Sequence, residues 1–207
     1  MRFHPAAGAI LPKNPARRLV YVQENRRAEV GSAQSASQKE NAPKGKQPAG
    51  KTKAWKVQNA MSAAPRAIAK NATIVDQPGK EGGEMPVLRK GMNDWTCMPD
   101  DPSTPANDPM CLDKNAVDWA KAWKSHTEPK LSGAGMGYML QGGGSPSNTD
   151  PFATKPPEGK KWLQEPPHLM LFGVKLDPSV YSSDANSGTP WIMWAGTPYE
   201  HLMIPVK

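Results

Sequence analysis

No stretch of the 207-residue chain approaches the roughly 18 apolar residues of a membrane span. No segment reads as a secretory leader either. Its apolar run is ~7–15 residues long, whereas the best candidate, AAGAIL at 6–11, is short and lies between Pro5 and Pro12. Aromatics are scarce at the start: residues 1–54 hold only Phe3 and Tyr21, and all seven Trp lie from Trp55 onward. Residues 31–54 contain no aromatic and no Val or Ile. Such a segment buries too little apolar surface to offset a chain entropy of ~1–2 kcal/mol per residue. The sequence therefore predicts a disordered basic tail over 1–60 and one compact domain over 61–207, with Met61 as an alternative start. There are only two cysteines, Cys97 and Cys111. No histidine stands between them, which argues against a zinc site, and their spacing excludes a CxxC redox motif. The chain also lacks a G-x-S-x-G elbow, a P-loop and an EF-hand.

Charge follows the same division. Residues 1–54 carry eleven Lys or Arg and three Glu, a balance of +8, while 55–207 carry fifteen and sixteen, a balance of −1. The net charge of +7 and the high pI are properties of the tail. The tail suits an acidic protein or an anionic surface as partner. Nucleic acid fits poorly, because no aromatics are interleaved for base stacking, and the apolar face of a membrane-surface helix is missing.

Within the domain, the spacing predicts short strands at 72–76, 85–98, 135–141 and 167–174, and a hairpin made of 191–194 and 199–206. The glycines of the 135–141 strand point to a close backbone approach. One amphipathic helix is expected at about 114–126. Asp113 is its N-cap, and Ala116, Trp119, Ala120 and Trp123 share one face. The fold class is α+β, with a small, mostly antiparallel sheet and long loops at 99–113 and 142–161.

Several motifs recur in one order across the domain: Trp95-Thr-Cys-Met-Pro, Asp108-Pro-Met-Cys, Gly137-Tyr-Met-Leu-Gln, Pro167-His-Leu-Met and Glu200-His-Leu-Met. Over about 63–206 the chain resembles a family of small exported bacterial proteins of no assigned activity. The resemblance implies a periplasmic or secreted location. The chain departs from that pattern at its N-terminus, where a basic polar tail stands in place of an export signal.

Five groups of residues invite a chemical reading. Cys97 and Cys111 flank the Asp- and Pro-rich loop, either as a disulfide that orders it or as buried free thiols. Asp94, Asp100, Asp101, Asp108 and Asp113 are dense enough for Ca2+, but Asp before Pro or at a helix start is ordinary turn and capping chemistry. His168 and Met170, and His201 and Met203, share one strand face each. Were the strands neighbours, these groups would suit a soft ion such as copper(I), or supply a catalytic histidine. Met is also a common core filler. Ser145, Ser147, Thr149 and Asp150 in the Gly-rich loop 142–150 would serve a small hydrolase if one hydroxyl met a histidine. Trp162, Trp191, Trp194 and Tyr199 belong to the core, or line a pocket or partner face. Weighed together, these features point to a non-enzymatic binding or accessory domain of the cell envelope, for a soft metal ion or small ligand. The alternatives are a small hydrolase, or a subunit docked through its tail.

Overall fold

The computed structural model describes residues 51–79 and 83–206, all within one compact unit, Lys46–Lys207. The expected tail over 1–50 lies outside the described residues. The expected boundary at 60 is corrected, because helix α1 (Lys53–Ser62) belongs to the domain. Thr52 caps it by accepting from the Trp55 N–H. The helix packs through Ala60, with Val57 and Met61 half-buried against the same cluster. Ala60, Ala63, Ala64, Ala69 and Ala72 form one cluster with Ile74, Cys97 and Cys111. Helix α2 (Arg66–Ala69) belongs to the same layer.

Ten strands follow: β1 (Thr73–Val75), β2 (Val87–Arg89), β3 (Thr96–Met98), β4 (Met110–Leu112), β5 (Gly135–Met139), β6 (Gly143–Ser145), β7 (Leu163–Glu165), β8 (His168–Phe172), β9 (Trp191–Met193) and β10 (His201–Pro205). Eight of them form one sheet in the order β2-β1-β3-β4-β5-β8-β10-β9, and β6 pairs with β7 separately. Among these strands β1 and β3 alone pair in parallel, and Ser182 makes an isolated parallel bridge to Trp191 of β9. The fold is α+β and strand-rich, as expected. Two details are corrected: the main sheet is large rather than small, and three helices are present among the described residues.

Helix α3 (Lys114–Lys124) starts where Asp113 accepts from the Ala116 N–H at 2.8 Å. The other Asp113 oxygen accepts from the Met136 N–H at 2.8 Å, tying the helix start to β5. The helix ends with His126 at φ 55°. The His126 and Thr127 N–H groups return to the Trp123 and Ala122 carbonyls, a left-handed cap. Gly135 explains how close this helix lies. A Cβ there would stand 2.6 Å from the Ala116 nitrogen, so only glycine admits the helix backbone.

The register gives the sheet two faces. One carries Leu112, Gly137, Met170, Met203 and Trp191 as a row across five strands and is covered by α3. The other carries Cys97, Cys111 and Tyr138. Further along that second face, Ile192 and Leu202 pack with Leu176. Both faces are therefore covered.

Cys97 and Cys111 are direct cross-strand partners with Cα atoms 4.0 Å apart, and they are disulfide-bonded. The bond closes the Asp/Pro loop at its base. Replacing both with alanine should destabilise the domain by about 3 kcal/mol, the chain-entropy value for a loop of this length. A urea titration checks this. The midpoint should fall, and a midpoint equal to the wild type would show that the loop is held by its own hydrogen bonds.

Candidate functional site

His168 and Met170 project from β8 on the α3 side of the sheet, and His201 and Met203 project from β10 on the same side. The two strands are neighbours. Met170 and Met203 are direct partners, but His168 pairs with Pro205, so His201 lies four residue steps away, opposite Phe172. That is about 13 Å of strand. The idea that both imidazoles close on one ion is corrected: the methionine pair lies between two separate histidine environments.

His168 is fully buried. Its Nδ1–H donates to the Pro166 carbonyl at 2.7 Å, since a carbonyl only accepts. Nε2 therefore carries the lone pair, and it is buried without a partner. Burial, partly opposed by the Pro166 bond, holds the ring below its usual pKa and keeps it neutral. Its direct partner on β5 is Met139. Opposed side chains of this kind have Cβ atoms ~4.5–5.5 Å apart. Met170 is the next residue on the same face. The Trp191 ring lies 6.4 Å from the imidazole.

His201 sits in an aromatic cage. The rings of Phe172, Trp119 and Trp194 stand 5.0, 5.1 and 5.2 Å away. Its Nδ1–H donates to the Tyr199 carbonyl at 3.0 Å. Its pKa is pushed down to about 4, mainly by burial; the Tyr199 bond works the other way and His168 adds a small repulsion. A neutral imidazole here is a packing element with one polar anchor.

The hydrolase arrangement is not formed. Both histidines spend Nδ1 on backbone carbonyls, and no hydroxyl of loop 142–150 is hydrogen-bonded to either ring. Ser147 instead accepts from the Thr149 and Asp150 N–H groups. The loop is fastened to the core: the Trp194 indole donates to the Ser147 carbonyl, and the Trp191 indole donates to Asn148 Oδ1. Trp191, Trp194 and Tyr199 are core residues, and Trp162 is half-buried. Two open clefts, of about 390 and 730 Å3, are lined by neither His168 nor His201.

The Asp-rich loop is mostly turn chemistry. Asp101 accepts from the Ser103 N–H and hydroxyl. Asp113 caps α3, and Asp100 is ion-paired with Lys51. Asp108 accepts from the Thr104 hydroxyl at 2.6 Å and from the Asp101 N–H at 3.0 Å. Asp94 is exposed. Sequence reasoning missed Glu165, which is only 9% exposed and whose Oε1 is buried without a partner. Burial raises its pKa to about 7, offset in part by the Ser145 hydroxyl and reinforced by the charge of Asp108. The only written signal was a lone Glu ahead of Pro166-Pro167. Among the described residues, no three His, Cys, Asp or Glu side chains gather as a metal-binding group, and no helix is long and apolar enough to cross a membrane.

No protein-family profile, curated protein sequence or solved structure matches the chain.

Proposed function

We propose that the protein is a non-enzymatic binding domain of the bacterial cell envelope that holds a soft monovalent cation, copper(I), at His168. The observation that carries this reading is the fully buried, unpartnered Nε2 of His168. A buried acceptor without a partner costs ~1–3 kcal/mol, and a bound cation relieves that cost. Fixing Nδ1–H on a backbone carbonyl is also how metal-ligating histidines are oriented. The neighbours on this face are thioethers, from Met139 across the strand pair and Met170 beside it. Thioether with imidazole selects soft copper(I) over hard dications. Core packing alone accounts for the methionines but not for the orphaned nitrogen. The envelope location is supported by the resemblance to exported proteins and by the buried disulfide, which persists in oxidising compartments.

The test is a copper(I) titration against a colorimetric chelator. Ascorbate should serve as reductant, because a thiol would compete for the ion. The wild type is expected to take up one equivalent. His168→Ala is expected to bind at least tenfold more weakly, with Met139→Leu intermediate. Equal competition by wild type and His168→Ala would contradict the assignment.

A further inference from the structure

A second group of donors lies at the end of the sheet where β6 and β7 pair, and its chemistry is the opposite of the methionine face. Glu165, the last residue of β7, is nine-tenths buried and has one carboxylate oxygen with no partner. The β6–β7 register sets Gly143 opposite Glu165, with Ser145 two residues along β6 on the same face. Asp108, from the disulfide-closed loop, has its Cβ close to Gly143, the residue opposite Glu165. A Cβ added at Gly143 would stand 2.9 Å from Glu165 Oε2, 2.9 Å from the Met139 Cε and 3.8 Å from the Asp108 Cβ, so the Met139 methyl borders the group. Asp108 keeps lone pairs free beyond its bonds from Thr104 and the Asp101 N–H. Asp100, in the same loop, is ion-paired with Lys51.

We propose that Glu165 and Asp108, with the Ser145 hydroxyl, hold a hard divalent cation of the Ca2+ kind between the disulfide-closed loop and the β6–β7 ribbon. A buried carboxylate loses solvation, and a half-buried second one near it adds repulsion. An ion between them removes both costs at once. The donors are all hard oxygens, which suit Ca2+ and not a soft metal. Gly143 matters because any side chain there would collide with the Glu165 carboxylate. A bare ion also fits better than an organic amine, because this end opens onto neither of the two clefts. With two protein carboxylates rather than three, backbone carbonyls and water complete the shell, as Ca2+ tolerates. This site differs from the Asp-rich loop considered as a calcium loop on sequence grounds, since its central ligand is Glu165.

The test is thermal unfolding of the full-length chain, stripped with a chelator, at about pH 8, with and without about 1 mM CaCl2, a concentration typical for extracellular calcium modules. The expected result is a rise in midpoint of about 3 °C or more for the wild type. Glu165→Gln should abolish the rise and Asp108→Asn should reduce it, while MgCl2 should give a smaller rise. The readout is the increment caused by calcium, so a change in the variant's own stability does not confuse it. Were Glu165→Gln unable to fold, Ser145→Ala and Asp108→Asn would carry the same comparison. His168→Ala should keep the increment, which separates this site from the copper(I) site. No calcium increment in the wild type, or an equal one in Glu165→Gln, overturns the proposal.

Discussion

Trp119→Ala should cost about 3–5 kcal/mol, the range for removing a large aromatic from a core. Trp119 is 5% exposed and is the anchor of α3. Its ring centre lies 4.4 Å from Phe172 and 6.0 Å from both Trp123 and Trp194. It also forms one wall of the cage around His201. Its indole N–H has no partner, so the loss is one of packing, not of a hydrogen bond. Gly135 prevents easy repair. The helix already rests on the β5 backbone, and it has no room to sink into the cavity. Trp123→Ala should cost less. Trp123 is half-buried, although its indole donates to the Pro151 carbonyl at 2.8 Å. Urea denaturation of both variants checks the order. If Trp119→Ala lost no more than Trp123→Ala, α3 would not be what seals that face.

The second large effect is concealed in the wild type. His201 has a folded pKa of about 4 against 6.5 unfolded. Between those values the unfolded chain binds the extra proton, so stability rises with pH. Its contribution is complete above about 6.5 and is lost as pH falls towards 4. Glu165 is the reverse, with a folded pKa of about 7 against 4.5. There the folded chain holds the extra proton. Its contribution is complete below about 4.5 and is lost as pH rises through 7. Each gap amounts to about 3 kcal/mol at 1.36 kcal/mol per unit. Where the windows overlap, the two slopes cancel. His168, also lowered, adds to the first slope, and Asp108, raised by burial, adds to the second. The wild type is thus expected to have a nearly flat profile from about pH 4.5 to 6.5. Glu165→Gln uncovers the histidine slope, and its unfolding free energy should climb by about 3 kcal/mol from pH 4 to 6.5. Chemical denaturation at stepped pH, without divalent ions, reads this directly. A variant as flat as the wild type would show that His201 is not the buried neutral base described.

The parts legible in the sequence were those written in large side chains. The stripe of Trp119 and Trp123 behind Asp113 marks α3, which ends two residues short of the expected 126 because the left-handed cap starts there. The apolar runs at β8, β9 and β10 mark their strands. Helix α1 was not legible, because it packs with alanines and its lysines resemble the tail before it. Strand β4 lay within a run of Asp and Pro, and its identity comes from pairing across the disulfide. Strand β6 is Gly-Gly-Ser, with no pattern to read. The His-x-Met pairs were found by their period of two, but the register that separates His168 from His201 depends on the chain's path between β8 and β10. Glu165 left only a lone Glu ahead of two prolines. Its burial is set by loop 97–111 and by β6, both remote in sequence.

The account rests on His168 as a ligand for a soft cation. X-ray absorption at the copper edge of the ascorbate-reduced, copper-loaded protein tests that most directly. The account predicts an imidazole nitrogen together with thioether sulfur around copper(I), and loss of the nitrogen signal in His168→Ala. A shell without imidazole, or one unchanged by His168→Ala, would contradict it.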